Sequence, residues 1–178
     1  LVRQGKVRQI GHSNFTGAMI GAADAASAKK KLARFVSAQN EWSLLERGVE
    51  KDAIPACEKY QLGQLPYFPL ASGMLTGKYR RGEKFAAGSR FATMGDYFAK
   101  VASDANFTRV EVLERMAAAH GHSLLELAMG WLAAQPSVAS VIAGATTPEQ
   151  VRANAASMSW KLKPADLAEV ERALASVP

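Results

Sequence analysis

A parallel α/β sheet built from strand–helix units is the fold class this sequence predicts, and three observations carry it. Short β-branched or apolar runs occur four times, each followed by a polar or glycine-bearing exit and then by a helical pattern. The polar groups gather at the C-terminal ends of those runs, where parallel sheets bind ligands. After the first run stands Gly11-His12-Ser13-Asn14, which is not the glycine-rich fingerprint a doubly wound dinucleotide sheet should show there. A β/α barrel places its site on the βα loops and its phosphate contacts after the last two strands. That matches a long loop after the third run and a glycine junction after the fourth.

Taken in order, Leu1 to Lys6 reads as the tail of a helix closed by Gly5. Val7 to Ile10 reads as a short strand, Gly11 to Phe15 as its polar exit, and Thr16 as the cap of a helix running to about Ala28. The pattern returns with a strand over Phe35 to Asn40, a loop over Glu41 to Gly48, and a helix from about Val49 to Tyr60 with Ala53, Ile54 and Cys57 on one face. A third strand, Gln64 to Leu70, is shortened by Pro66 and Pro69. Ala71 to Ala105 has no clear period, and loops of that length inside a domain are usually functional or mobile. Helices resume over about 106–120 and 123–134, separated by Gly121. The last runs from Pro164 to about Ser176 with Leu167, Val170 and Leu174 aligned.

The fourth strand, Val141-Ile142-Ala143, stops at Gly144, after which Thr146 or Thr147 caps a helix whose first position is Pro148. The unpaired N–H groups and the positive end of the helix dipole make this junction suitable for an anion such as a phosphate, and Gly144 lets the backbone approach closely. The same turn chemistry also serves a junction with no ligand. Ser13 and Asn14 likewise suit a strand exit, Gln39 and Asn40 a loop hydrogen-bonding pair, and Tyr67 a core aromatic.

Composition narrows the function classes. The 178 residues suffice for one domain with a core, and 48% hydrophobic with 21% charged residues is ordinary for a soluble globular chain. Without a long apolar run or a signal-peptide pattern, neither membrane nor secretion is indicated, and a cytoplasmic protein is expected. The net charge of +6 is spread along the chain, and the Lys29-Lys30-Lys31 cluster falls at a helix end, so no nucleic-acid partner is expected. Cys57 has no disulfide partner and reads as a buried thiol. His12, His120 and His122 lack metal-ligand spacing, so no metal site is expected.

Four ordered motifs carry a likeness. They are Gly-Lys-Val-Arg-x-Ile-Gly-x-Ser-Asn-Phe at 5–15, Val-Ser-x-Gln-Asn at 36–40, Pro-Tyr-x-Pro-Leu-Ala-x-Gly-x-Leu-Thr-Gly-Lys-Tyr at 66–79, and Ile-x-Gly-Ala-Thr-x-Pro-Glu-Gln from Ile142 with Asn154 beyond. Together, nearly end to end, the chain resembles the C-terminal half of an aldo-keto reductase, an NAD(P)H-dependent TIM (β/α)8-barrel oxidoreductase. The resemblance implies about four βα units plus a C-terminal helix, with residues 1–178 as one half-domain.

It also implies a cofactor site for NADP, with NAD possible. Ser13, Asn14 and Gln39 would hydrogen-bond the nicotinamide carboxamide and so fix one face of the ring. Tyr67 would stack on that ring. Phe68, Leu70, Ser72 and Lys78 would line the pyrophosphate path, and Arg90 would reach the adenosine phosphate. Gly144, Thr146, Gln150 and Asn154 would hold the adenosine end.

The family's Asp, Tyr, Lys and His tetrad lies on the first four strands of its barrel, and no such set stands here in that context, so no catalytic residue is assigned. Ala143, Trp42 and Ala153 depart from common family residues, and Gly144 and Gln150 stand where some members carry cations for the 2′-phosphate. The expected function is cofactor binding for hydride transfer to a small aldehyde or ketone. The alternative is a non-catalytic NADP-binding or regulatory module. A flavodoxin-like sheet fits less well, because the early phosphate loop is missing. Four strands cannot close a barrel of eight, so an N-terminal half or self-association is expected to cover the exposed edges.

Overall fold

The computed structural model describes residues 1–83 and 101–177. Its strands are β1 (Ile10–Ser13), β2 (Phe35–Gln39) and β3 (Gly63–Gln64), all parallel and in the order β1-β2-β3. A fourth crossing continues the sheet through single parallel bridges, Val138 to Gln64 and Ile142 to Tyr67. Backbone bonds fix it there: Gln64 donates to Ser137 at 2.7 Å, Ala139 to Gln64 at 2.9 Å, and Ile142 to Pro66 at 2.9 Å. Neighbouring strands are thus consecutive in sequence, the order of a barrel segment and not that of a sheet with a topological switch point. The architecture fits a partial TIM-barrel-type fold.

The helices are α1 (Gly17–Lys30), α2 (Ala53–Tyr60), α3 (Asp104–Ala119), α4 (Leu124–Ala133), α5 (Pro148–Ala156) and α6 (Pro164–Ala175). Their starts follow the capping residues. Thr16 Oγ1 accepts from the Met19 N–H at 3.3 Å, and Ser123 and Glu126 form a capping box at α4. No helix among the described residues is long and apolar enough to cross a membrane.

The strand boundaries differ from those expected. The first strand begins where the sequence pattern ends it, because pairing with β2 starts at Ile10 opposite Phe35 and runs to Ser13 opposite Gln39. Gly11 and His12 therefore belong to the ladder: a Cβ at Gly11 would collide with Ser37, and the His12 ring turns to the helix side, stacked on Phe15 at 4.3 Å. Leu1 to Lys6 forms a turn with Gly5 at φ +69, held by the Arg3 guanidinium donating to the Lys31 carbonyl at 2.8 Å. The helix expected from Val49 splits at Asp52 into a 3-10 turn, Gly48–Lys51, and α2, while the Asp52 carboxylate accepts from the Gly17 N–H at 2.9 Å. The third crossing pairs at Gly63 and Gln64, then only at Tyr67, beyond Pro66.

One face of the sheet is covered. Ala38, fully buried, meets Ile20 of α1, Ala53 and Cys57 of α2, and Leu62. Alternation turns Ser13, Ser37 and Gln39 to the other face, where Ser13 is exposed and the other two half-buried. The larger core lies under the second half of the chain, where α3, α4 and α6 enclose Leu113, Leu127, Trp131 and Val170. Trp42 meets Trp131 edge-on at 5.6 Å, and Arg47 lies 5.1 Å over the Trp131 ring while pairing with Glu50 and, at 2.8 Å, with Glu171 of α6.

His12 is buried, and neither ring nitrogen has a hydrogen-bond partner among the described residues. Burial holds its pKa below the ordinary imidazole value. The unfolded chain then takes up a proton that the folded chain refuses, so stability is full above roughly pH 6.5 and falls as the pH drops below it. Urea midpoints measured from pH 8 to 5 should decline on acidification, and His12→Phe, which keeps the stacked ring, should flatten that decline.

Candidate functional site

The parallel ladder brings the strand exits to one edge and then joins them by side chains. Ser13 Oγ donates to the Gln39 carbonyl at 2.9 Å, and the Asn14 N–H donates to the same oxygen at 3.0 Å. Asn14 sits at φ +58, a conformation its short polar side chain tolerates. Its Oδ1 accepts from the Tyr67 hydroxyl at 3.0 Å. Tyr67 is itself tied by backbone bonds to its neighbours on the β2 side, donating to Asn40 and accepting from Trp42. Burial and the neighbouring Glu41 carboxylate raise the Tyr67 phenol above its ordinary range, so it remains a donor at neutral pH.

Tyr67 is also one wall of a cavity of about 660 Å3 that runs from the third strand exit to the start of α5. Phe68, Leu70, Ser72, Lys78, Gly144, Thr146, Gln150 and Asn154 line it with Tyr67. Ser13, Asn14 and Gln39 lie outside its lining and connect to it through the Asn14–Tyr67 bond. Arg90 lies outside the described residues. Gly73, Thr76, Leu125 and Ile142 line the cavity too, and sequence reasoning passed over them. The one available signal was Gly73, a glycine in a run that turns sharply.

That run is bent in an unusual way. Phe68, Ala71, Ser72 and Gly73 have φ of +52, +44, +57 and +101, and the 3-10 segment Ala71–Thr76 kinks at Ser72 and Gly73. Left-handed non-glycine residues cost energy and concentrate where a ligand is gripped. Here they fold the loop so that Lys78 crosses Gly73: a Cβ there would lie 2.9 Å from Lys78 Cε and 3.1 Å from Nζ. Lys78 Nζ also lies 4.9 Å from the Tyr79 ring centroid. Lys78 is the only cation in the cavity lining among the described residues.

At the other end Thr147, not Thr146, caps α5, its Oγ1 accepting from the Gln150 N–H at 3.3 Å, with Pro148 at the first position. The Gln150 side chain folds back on the loop, Oε1 accepting from the Thr146 N–H at 2.7 Å and from its hydroxyl at 3.2 Å. Gln150 thereby shapes the junction, and its carbonyl oxygen is already engaged. No group of three or more His, Cys, Asp or Glu among the described residues is arranged to hold a metal ion.

A flat ring, a cation and a helix N-terminus line one trough, and the strand-end residues beside it join it through the Asn14–Tyr67 bond. Consecutive parallel strands with such a trough across their C-terminal ends define a β/α protein of the barrel type. Residues 1–175 match the Aldo/keto reductase family. Relatives include the uncharacterized oxidoreductase YrpG of Bacillus subtilis (strain 168), 34% identical over 151 residues, covering 85% of this chain and 44% of that protein. Protein tas of Escherichia coli (strain K12) is 34% identical over 169 residues, 95% of this chain and 48% of its own length. A probable voltage-gated potassium channel subunit beta of Arabidopsis thaliana is 32% identical over 175 residues, 94% of this chain and 52% of its own length. The chain belongs to the aldo/keto reductase family, an oxidoreductase family that generally uses NAD(P)H. It spans about half the length of the curated relatives it matches.

Gly73→Ala should lower stability by about 1 kcal/mol or more, because a side chain is strained at φ +101, while the Lys78 side chain has only to move aside. Gly5→Ala, with a left-handed backbone but nothing within 4 Å, should cost less, and paired urea titrations measure the difference.

Proposed function

We propose that this chain, residues 1–178, supplies the cofactor-binding half of an NAD(P)H-dependent aldo-keto reductase, a half barrel of about four βα units with a C-terminal helix. The observation that carries the reading is the continuous row from Ser13 and Gln39 through Asn14 and Tyr67 into the cavity that ends at α5. NADP, with NAD as the second choice, is the cofactor the row would hold, and it would supply a hydride for an aldehyde or ketone. Asn14 and Gln39 would orient the carboxamide, and the Tyr67 ring would back the nicotinamide with its hydroxyl anchored on Asn14. Lys78 and the folded-back loop would follow the pyrophosphate, joined by Phe68, Leu70 and Ser72. Gly144, Thr146, Gln150 and Asn154 would hold the adenosine end beside the N–H groups of α5.

The Asp, Tyr, Lys and His tetrad is not assigned to any residue of this chain, so the chain by itself would bind cofactor without turning over a carbonyl. The polar, partly exposed sheet face at Ser13, Ser37 and Gln39 supports a partner for that face, either an N-terminal half or a second copy. A cytoplasmic location goes with this reading.

A second reading is a non-catalytic, regulatory NADP-binding module. It is favoured by the relatives named as potassium channel beta subunits, 32% identical in Arabidopsis thaliana and 40% identical over 65% of this chain in rice, Oryza sativa subsp. japonica. The two readings share the cofactor and differ on turnover once the sheet is completed.

Titration with NADPH, followed by cofactor fluorescence, should show saturable binding that Tyr67→Ala weakens roughly two- to tenfold, the worth of one stacked ring. No binding by either NADPH or NADH, with the sheet completed by an N-terminal half, would sink the reading.

A further inference from the structure

The net charge of this chain is not spread along it as expected. Residues 1–34 hold seven of the 22 Lys and Arg but one of the 16 Asp and Glu, so the whole net charge of +6 resides there and the rest of the chain balances. The fold gathers those cations. Arg3 donates to the Lys31 carbonyl at 2.8 Å, which ties the N-terminal turn to the end of α1. Pairing of Ile10 with Phe35 brings the segments that carry Arg8 and Arg34 together where β1 and β2 begin. Arg34 donates in turn to the carbonyl of Tyr60, the last residue of α2, at 3.3 Å. Arg3, Lys6, Arg8, Arg34 and the Lys29–Lys31 run thus gather at the entry end of the strands, opposite the exits at Ser13 and Gln39. The one carboxylate of this segment, Asp24, is paired with Arg34. Lys6, Arg8 and the three lysines are exposed and have no ion pair among the described residues.

An apolar feature lies inside this face. α1 ends with Lys31 at φ +51, its N–H donating to the Ala28 carbonyl at 3.2 Å, and the Leu32 N–H donates to the Ser27 carbonyl at 2.9 Å. In such a turn an apolar residue after the left-handed one commonly folds back on the helix. Leu32 instead stays 50% exposed, fixed by its backbone next to three lysines. Unpaired cations around a held, protruding leucine match a bilayer interface, which offers anionic headgroups over acyl chains. Single-stranded nucleic acid fits less well, because no aromatic stands among the exposed large apolar side chains of the described residues to stack a base.

We propose that this face docks on an anionic phospholipid surface, the cations meeting the headgroups and Leu32 entering the interface. The trough at the strand exits then faces away from the lipid. No residue of that trough takes part, so the proposal stands apart from the reductase reading.

Cosedimentation of the chain with vesicles tests it at physiological salt, comparing phosphatidylcholine alone with phosphatidylcholine carrying about 30% phosphatidylserine. Only the anionic vesicles should bind, and raised salt should release the protein. Replacing Lys29, Lys30 and Lys31 together by Gln should weaken binding by more than about fiftyfold, roughly fivefold per cation at the surface. Leu32→Ser should weaken it severalfold. Gln at Arg115, Lys161 and Lys163, which removes the same charge outside the face, should change it by less than about twofold. Circular dichroism checks that each variant folds; if the triple lysine variant does not, Lys6→Gln with Arg8→Gln decides, with a loss of about tenfold or more. Equal binding to neutral vesicles, no binding to anionic ones, or equal losses from the two triple variants would each overturn the proposal. So would a single-stranded RNA oligonucleotide that displaces the vesicles and whose own binding Leu32→Ser leaves unchanged, which would assign the face to nucleic acid.

Discussion

The parallel backbone ladder is the constraint on which the rest of this molecule depends. Asn14 donates to Gln39, Tyr67 to Asn40 and Ile142 to Pro66, so four crossings leave the sheet at one edge. Parallel pairing forces each return through a helix, which puts α1 and α2 on one face and every polar exit at the same end. Residues 26 and 53 positions apart are then close enough to hydrogen-bond. Loss of the ladder would separate Ser13, Gln39 and Tyr67, whose side chains have few other supports.

Strain and capping act on that frame. The left-handed backbone at Phe68, Ala71, Ser72 and Gly73 is concentrated on the loop that faces the larger cavity. The buried residues around it, Met74 and Leu75, belong to the larger core and hold the loop in place. At the opposite end Thr147 and Gln150 spend their hydrogen bonds on shaping the entry to α5. The strained loop and the capped helix thus bound one trough from two sides.

Tyr67 stands between two chemically different spaces. On one side lie Lys78 and the N–H groups of α5, suited to anions; the other carries Glu41, Glu46 and Asp52, of which Glu46 and Asp52 hold backbone N–H groups.

Helix positions were legible from the chain alone, because caps and breakers act over three or four residues: Thr16, Ser123, Pro148 and Pro164 each stand where a helix starts. The motifs after the third and fourth strands likewise marked residues that line one cavity. What sequence misplaced were the strand limits. Gly11 and His12 look like an exit until a neighbour 26 positions away supplies partners, and Asp52 looks helical until Gly17 claims its carboxylate. Local rules fix caps and turns because their partners are adjacent in the chain. Strand register, the bend at Gly73 and the meeting of Asn40 with Glu41, Glu46 and Asp52 around one cavity depend on contacts between distant segments, so only the tertiary structure decided them.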